Sequence, residues 1–172
     1  MPTRLPPVEI HHTPNAIAGR EGDRPRAIVL HTTVGTWGSA LTWFMRPESG
    51  VSAHYLVGID GRLAQLVDER DTARHAGRVL DPVARLVREA EVSPNLFTVG
   101  IEFEDGGRPL DVVRTSAQYL TGARLIAAVA ARWDIPLDRD HVLAHREIFA
   151  AKECPGNLDV ERLVREAAAP VI

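Results

Sequence analysis

Short β-rich segments and amphipathic helical segments alternate along the chain, and this order limits what the chain can fold into. The segments follow one another as β, α, β, β, α, β, α, β and α. The two consecutive strands lie within residues 51–67 and predict a hairpin, because Asp60-Gly61 favours a tight turn with positive φ. The order indicates one sheet, mixed in direction. We therefore expect an α/β fold, a single domain with a central mixed β-sheet packed by helices on its faces.

The other segments are recognised by apolar periodicity and by capping residues. An apolar run in residues 24–33 ends at His31, which is typical of a buried strand. Two further strands are predicted at 98–104 and 141–145. Two helices are predicted at 39–46 and 159–168, with Ser39 and Asp159 as their N-caps. Another helix is predicted to begin at the pair Asp81-Pro82, and the longest to run from the capping box at Thr115 to Trp133.

Length and composition agree with one ordinary globular domain. A chain of 172 residues can bury about 70% of its unfolded surface, so a single compact core is expected. We assign residues 1–23 to an N-terminal lead-in and residues 24–172 to a single domain that holds all the predicted strands and helices. No internal repeat or long linker divides the latter range.

Charge and hydropathy exclude several classes of partner. The arginines are dispersed among acidic residues and the net charge is -3, so no basic stripe indicates nucleic acid. No run approaches the roughly 18 apolar residues of a membrane span, and residues 1–12 lack the apolar centre of a signal peptide. We expect a monomer without nucleic-acid or membrane partners, cytoplasmic on synthesis and acting on its target after release.

Three residues are candidates for a metal site. His31 ends the first predicted strand, His145 ends the last, and Cys154, the single cysteine, follows in a Pro-Gly loop. Two imidazoles and a thiolate are a usual zinc set, and three protein ligands leave a fourth position open for catalysis. The alternative is that both histidines are satisfied by hydrogen bonds and that Cys154 is a small buried apolar residue. Spacing alone leaves both open.

Two further residues could take part in catalysis. Glu102 lies mid-strand between apolar neighbours, so its side chain can point to the opposite face and act as a proton shuttle. Lys152, the only lysine, precedes Cys154 by two positions and could reach a developing oxyanion. Taken singly, each is more commonly an exposed surface residue.

Six segments together resemble the N-acetylmuramoyl-L-alanine amidase 2 domain of phage endolysins, bacterial amidases and peptidoglycan recognition proteins. The resemblance covers about Ala27 to Val164 and is carried, in order, by IVLHTT, VSAHYLVGIDGRLAQLV, RHAG, NLFTVGIEFE, VLAHREI and KECPG. It implies a zinc hydrolase that cleaves the linear amide between N-acetylmuramic acid and L-alanine in peptidoglycan or a muropeptide. It also implies that one zinc ion is held by His31, His145 and Cys154, and that Glu102 and Lys152 are catalytic.

The resemblance also bears on the substrate groove and on the proton donor. Ala53 stands where the phage lysozyme-type branch has a catalytic tyrosine, so Glu102 is expected to carry the proton transfer. The candidates for substrate binding are His75, which matches a family histidine lining the groove, together with His54, Asn95 and Asn157. For His54 a structural role is an equal alternative. Trp37 and Trp43 could wall a glycan groove, although we expect Trp43 in the core.

Three other classes share parts of this pattern. They are a non-catalytic peptidoglycan-binding protein, a cysteine hydrolase that uses Cys154 with His145, and a purely structural zinc protein. Within the amidase class, we expect a phage or prophage endolysin, with a cytoplasmic muropeptide-recycling amidase as the alternative.

Overall fold

The computed structural model describes residues 5–169 and contains one six-stranded sheet. Its strands are β1 Val8–Ile10, β2 Ala27–Thr32, β3 Tyr55–Val57, β4 Leu63–Gln65, β5 Thr98–Phe103 and β6 Val142–Ala144. They lie side by side in the order β1-β4-β3-β5-β2-β6. Neighbouring strands are parallel except in the β3–β4 hairpin. The predicted α/β fold with one mixed sheet is therefore confirmed.

Five α-helices accompany the sheet in the described part of the chain. They are α1 Trp37–Phe44, α2 Arg85–Glu89, α3 Pro94–Phe97, α4 Ser116–Trp133 and α5 Val160–Ala168. The predicted N-caps Thr115 and Asp159 are confirmed, since their side chains accept hydrogen bonds from the third residue of α4 and of α5. None of the helices within residues 5–169 has the length and apolar character needed to cross a membrane.

Two predicted helix starts are wrong. Thr36, not Ser39, caps α1, because the helix begins at Trp37. Glu104 supports this start by accepting a hydrogen bond from the Trp37 amide. The pair Asp81-Pro82 does not begin α2, which starts at Arg85. The amides of the two residues before Arg85 are instead used by the Glu147 carbonyl, so the chain is held in a connection there.

The N-terminal segment contributes the edge strand β1, for which the sequence analysis assigned no strand. Val8–Ile10 pairs in parallel with β4. Further along this segment, the buried guanidinium of Arg20 donates to the main-chain carbonyls of Glu69, Leu96 and Thr98. These bonds join the segment to the main body. Strand β1 has three residues and pairs with a strand distant in sequence, so no adjacent turn marks it, unlike the equally short β3 and β4 that flank Asp60-Gly61.

The core lies on both faces of the sheet, and all six residues of β2 are buried. Helices α4 and α5 cover one face. On α4, Gly122 allows close approach, because a Cβ there would lie 2.6 Å from a ring carbon of Phe103 on β5. The parallel strands β5, β2 and β6 end at the same edge, where His31 is in register with Glu102 and His145 directly follows β6. This edge is where the candidate residues meet.

Candidate active site

His31, His145 and Cys154 lie together at the carboxyl edge of the sheet. Each offers one ligand atom, and the three atoms lie within 4.8 Å of one another. Cys154 Sγ lies 3.8 Å from His31 Nδ1. A metal ion about 2.0–2.3 Å from nitrogen and sulfur ligands can be shared after small side-chain adjustments. The arrangement can therefore hold one ion.

A chain of hydrogen bonds orients the His31 ring. The Thr98 hydroxyl donates to the Pro94 carbonyl at 2.7 Å, so it accepts from His75 Nε2, which lies 3.1 Å away. His75 Nδ1 is then free to accept from His31 Nε2, at 3.0 Å. This leaves the lone pair of His31 Nδ1 facing Cys154. Gly100 makes the contact possible, since a Cβ there would lie 2.4 Å from His75 Cγ.

Both candidate histidine ligands are held in the neutral form that binds metals. Burial lowers the pKa of His31 well below its ordinary value, and the nearby His145, His75 and Lys152 lower it further. Burial also lowers the pKa of His145. His145 Nε2 lies 3.0 Å from the Ala76 carbonyl and donates to it, which leaves Nδ1 for a metal ion. The two rings thus present unprotonated nitrogens to one point.

Cys154 reaches the site from a loop anchored by main-chain bonds. Its carbonyl accepts from the Arg146 amide at 2.9 Å, and its Sγ accepts from the Thr32 amide at 3.3 Å. Burial, followed by the charge of Glu102, raises the pKa of the Cys154 thiol to about 12. A thiolate at this position therefore requires a compensating cation.

Glu102 and Lys152 line the same cavity, of about 590 Å³, as the three candidate ligands. Glu102 Oε2 is buried and has no hydrogen-bond partner among the described residues. Burial, followed by repulsion from Asp105, raises the pKa of Glu102 to about 8. A carboxyl group with such a pKa can accept and return a proton near neutral pH. Lys152 enters from the loop that carries Cys154, with Nζ 5.7 Å from the Phe149 ring centroid.

The four residues predicted to contact substrate have different positions. His75 lines the cavity, but its two ring nitrogens are used by His31 and Thr98. His54 is fully buried, and its ring accepts from the Gly100 amide, so the structural alternative applies to it. Burial, followed by the charge of Arg20, lowers the pKa of His54 to about 3.

Asn95 and Asn157 lie outside the cavity lining and hold loops in place. The side-chain oxygen of Asn95 accepts from the amides of His75 and Ala76. The side chain of Asn157 accepts from Arg114 and donates to the Val112 carbonyl. Both side chains make hydrogen bonds within the local structure, which spacing in the sequence did not reveal.

The expected core position of Trp43 is wrong. Trp43 is 52% exposed and lines the cavity, whereas Trp37 is 7% exposed and packs in the core. The two residues are six positions apart, and at about 100° per residue they face different directions on α1. The spacing of Trp37, Ala40 and Phe44 is the signal that identifies the buried stripe.

The sequence analysis also missed Asp105, which shapes the loop after His31. Its fully buried carboxylate accepts from the Thr32 hydroxyl and from the amides of Val34, Gly35 and Gly107, at 2.6 to 3.0 Å. Val34 has φ of 51°, a left-handed conformation that is costly for a β-branched residue. The four bonds hold this conformation, and the exposed Val34 side chain lines the cavity.

A sequence profile described as N-acetylmuramoyl-L-alanine amidase, Amidase_2, matches residues 21–157. The chain belongs to this family. The six ordered motifs had indicated the same family, so that resemblance is confirmed. A relative named N-acetylmuramoyl-L-alanine amidase A, from Achromobacter lyticus, is 33% identical over 108 residues, which are 62% of this chain and 51% of that protein. The chain thus spans about half the length of the curated relative it matches.

Solved structures show the same amidase fold. The crystal structure of an AmpD derivative superposes with a TM-score of 0.73, at 24% identity, over 98% of each chain. The catalytic domain of XlyA has a TM-score of 0.71 at 20% identity, over 95% of this chain and 100% of that one. Escherichia coli AmiD, in complex with anhydro-N-acetylmuramic acid-L-Ala-D-γ-Glu-L-Lys, has a TM-score of 0.65 at 27% identity, over 83% of this chain and 57% of that one.

Proposed function

We propose that this chain is a zinc-dependent N-acetylmuramoyl-L-alanine amidase, which hydrolyses the amide between N-acetylmuramic acid and L-alanine in peptidoglycan. The observation that carries the proposal is the meeting of three ligand atoms within 4.8 Å in the cavity that also contains Glu102 and Lys152. Membership of the family and the name of the A. lyticus relative support the activity.

Zinc is the metal that these residues fit. Two neutral imidazoles and one thiolate form a borderline-soft donor set, typical of catalytic zinc sites with three protein ligands. Among the described residues, only His31, His145 and Cys154 form a group of this kind. Structural zinc sites usually close with four protein ligands. The three-residue set therefore favours a catalytic zinc over a structural one.

The proposed mechanism divides the work between the metal and two side chains. A zinc ion in this site supplies Lewis-acid polarisation of the carbonyl and lowers the pKa of water to the neutral range. Glu102 accepts the proton of the attacking water and delivers it to the nitrogen of the leaving L-alanine. Lys152 donates a hydrogen bond to the carbonyl oxygen as negative charge develops on it. Its location in the Cys154 loop keeps it beside the ligands.

We propose that the substrate carries an L-Ala-D-γ-Glu stem peptide, the chemistry of the ligand bound by AmiD. The cavity of about 590 Å³ is large enough for a sugar and the first stem residues. Exposed Trp43 on its wall offers a flat apolar surface to such a ligand.

A cysteine hydrolase is the competing activity, and the pKa of Cys154 disfavours it. Nucleophilic cysteines have a lowered pKa, whereas burial raises that of Cys154 to about 12. The variant Cys154→Asp separates the two activities. A carboxylate ligates zinc, so an amidase keeps measurable activity, whereas a thiol nucleophile is lost completely.

Mass spectrometry of digested peptidoglycan tests the proposed reaction. The zinc-loaded protein should release stem peptides with a free L-alanine amino group, chelation should stop the release, and added zinc should restore it. Free reducing sugar ends without released peptide would overturn the amidase proposal. Hydrolysis of intact sacculi as well as soluble muropeptides supports an endolysin, our preferred setting. Activity on soluble muropeptides alone supports a recycling enzyme.

A further inference from the structure

Arg74 is a cation in the cavity with no partner in the described part of the chain. Its side chain is exposed and lines the same cavity as His31, Glu102 and Lys152. Only its main-chain groups take part in hydrogen bonds among residues 5–169, and no carboxylate there forms an ion pair with its guanidinium. The five donors of the Arg74 guanidinium are therefore available to a ligand.

The main chain of Arg74 is held in a defined position relative to the metal site. Its amide donates to the Ser52 hydroxyl at 2.9 Å, and its carbonyl accepts from the Ser52 amide at 3.1 Å. The next residue, His75, is held by Asn95 through its amide and by His31 through its ring, at 3.1 and 3.0 Å. The guanidinium thus extends from a fixed base beside the metal ligands.

Arg74 is the charged residue of the cavity lining that is best suited to bind an anionic substrate group. Four charged side chains line it, namely Arg74, Glu102, Lys152 and Glu153. Glu102 and Lys152 have roles in the proposed reaction. Ser52, which is bonded to the Arg74 main chain, is uncharged, as are Trp43 and Val51 elsewhere in the cavity lining. An anionic group of the substrate is the natural partner for a cation in such surroundings.

The proposed substrate has such a group close to the bond that is cleaved. A γ-linked D-glutamate enters the peptide through its side-chain carboxyl, so its α-carboxylate remains free. This residue directly follows L-alanine. With about 3.3–3.6 Å per extended residue, the carboxylate lies about 7 Å from the scissile nitrogen. Building on the function proposed above, we propose that Arg74 binds this α-carboxylate and selects stem peptides in which it is not amidated.

Two soluble substrates test this proposal: N-acetylmuramic acid-L-Ala-D-γ-Glu-L-Lys and the same molecule with the glutamate α-carboxylate converted to an amide. The zinc-loaded wild type should cleave the first with a kcat/KM about 10-fold or more above the second, because the charged bidentate pair is lost in the amide. Arg74→Gln should cleave both at similar rates, with the change mainly in KM. Arg74→Lys should keep part of the preference.

Arg78→Gln is the matched control, since Arg78 is exposed and lies outside the cavity lining. It should keep the wild-type preference, and thermal melts should show that all variants are folded. Equal kcat/KM of the wild type for both substrates, or a preference that survives in Arg74→Gln, overturns the role of Arg74 while leaving the amidase in place. Cleavage of neither substrate by the zinc-loaded wild type overturns the proposed function itself, and the role of Arg74 with it.

Discussion

Lys152 is the residue whose loss should separate metal binding from catalysis. It lines the cavity but is not one of the three candidate ligands. Loss of one oxyanion donor typically lowers kcat by about 100-fold to 1,000-fold. We therefore expect Lys152→Ala to reduce turnover of a soluble muropeptide by about 100-fold while its zinc content stays at one ion. Lys152→Arg is the charge-retaining control. Near-normal turnover of Lys152→Ala with zinc bound would show that the residue has no catalytic role.

His75 should matter for zinc affinity more than for contact with substrate. It accepts a hydrogen bond from His31 and thereby sets which nitrogen of that ring faces the site. Removal of such an outer partner typically weakens metal binding about 10-fold to 100-fold. We expect this loss in His75→Ala, measured by competition with a chromophoric chelator, and partial recovery in His75→Asn, whose side-chain oxygen can accept the bond. The exposed His12→Gln is the control, and an unchanged zinc affinity in His75→Ala would contradict the assigned role.

At the residue scale, the sequence predicted the location of side chains at strand ends, but not the roles of side chains whose positions depend on packing. His31 lies near the end of β2 and His145 directly follows its parallel neighbour β6, so their convergence was predictable from the pattern. The role of His75 depends on the space above Gly100. The orientation of Trp43 depends on which face of α1 is buried. The first is not encoded in the spacing of residue types, whereas the second could have been inferred from the spacing of Trp37, Ala40 and Phe44.

At the scale of elements, Glu69 joins the sheet to the end of α4. Its buried carboxylate accepts from Tyr55 Oη on β3 at 2.6 Å, and from Arg132 Nε and Trp133 Nε1 on α4 at 3.0 and 2.6 Å. Burial acts to raise the pKa of Glu69, but the hydrogen bonds outweigh it, and the pKa lies below the ordinary 4.5. The stabilisation is therefore present above about pH 4.5 and is lost as the pH falls through the folded-state pKa.

We expect Glu69→Gln to lower the free energy of unfolding at pH 7 by about 1–2 kcal/mol. This is less than the loss expected on breaking a fully buried ion pair, because Arg132 is half exposed and water screens its charge. Urea denaturation at pH 7 and pH 4 measures the effect, and the difference between wild type and variant should shrink at pH 4. Glu89→Gln, which alters an exposed pair with Arg85, is the control. A difference that is the same at both pH values would contradict the role of the Glu69 charge.

The elements with strong local signals were predictable, and β1 and α3, which have none, were not. The hairpin at Asp60-Gly61 and the capped helix α4 follow from turn chemistry and from a capping box. Strand β1 and helix α3 have three and four residues, so tertiary contacts rather than propensity hold them in place.

At the scale of the whole molecule, zinc binding should stabilise the fold, because the ligands come from β2, from the end of β6 and from a later loop. Binding to the folded state adds about 2.7 kcal/mol when free zinc is 100-fold above its Kd. We expect thermal melts of the zinc-loaded protein to show a higher Tm than melts after chelation. Cys154→Ala should lose most of this difference. Equal Tm values with and without zinc in the wild type would argue against a metal held by these three residues.

His31 and Cys154 are separated by 123 positions along the chain. During synthesis His31 leaves the ribosome long before its sulfur partner exists, so the three-ligand site cannot assemble on a chain that stops short of residue 154. Under the proposed function, a product of interrupted translation that stops short of residue 154 is harmless to the wall of the cell that made it.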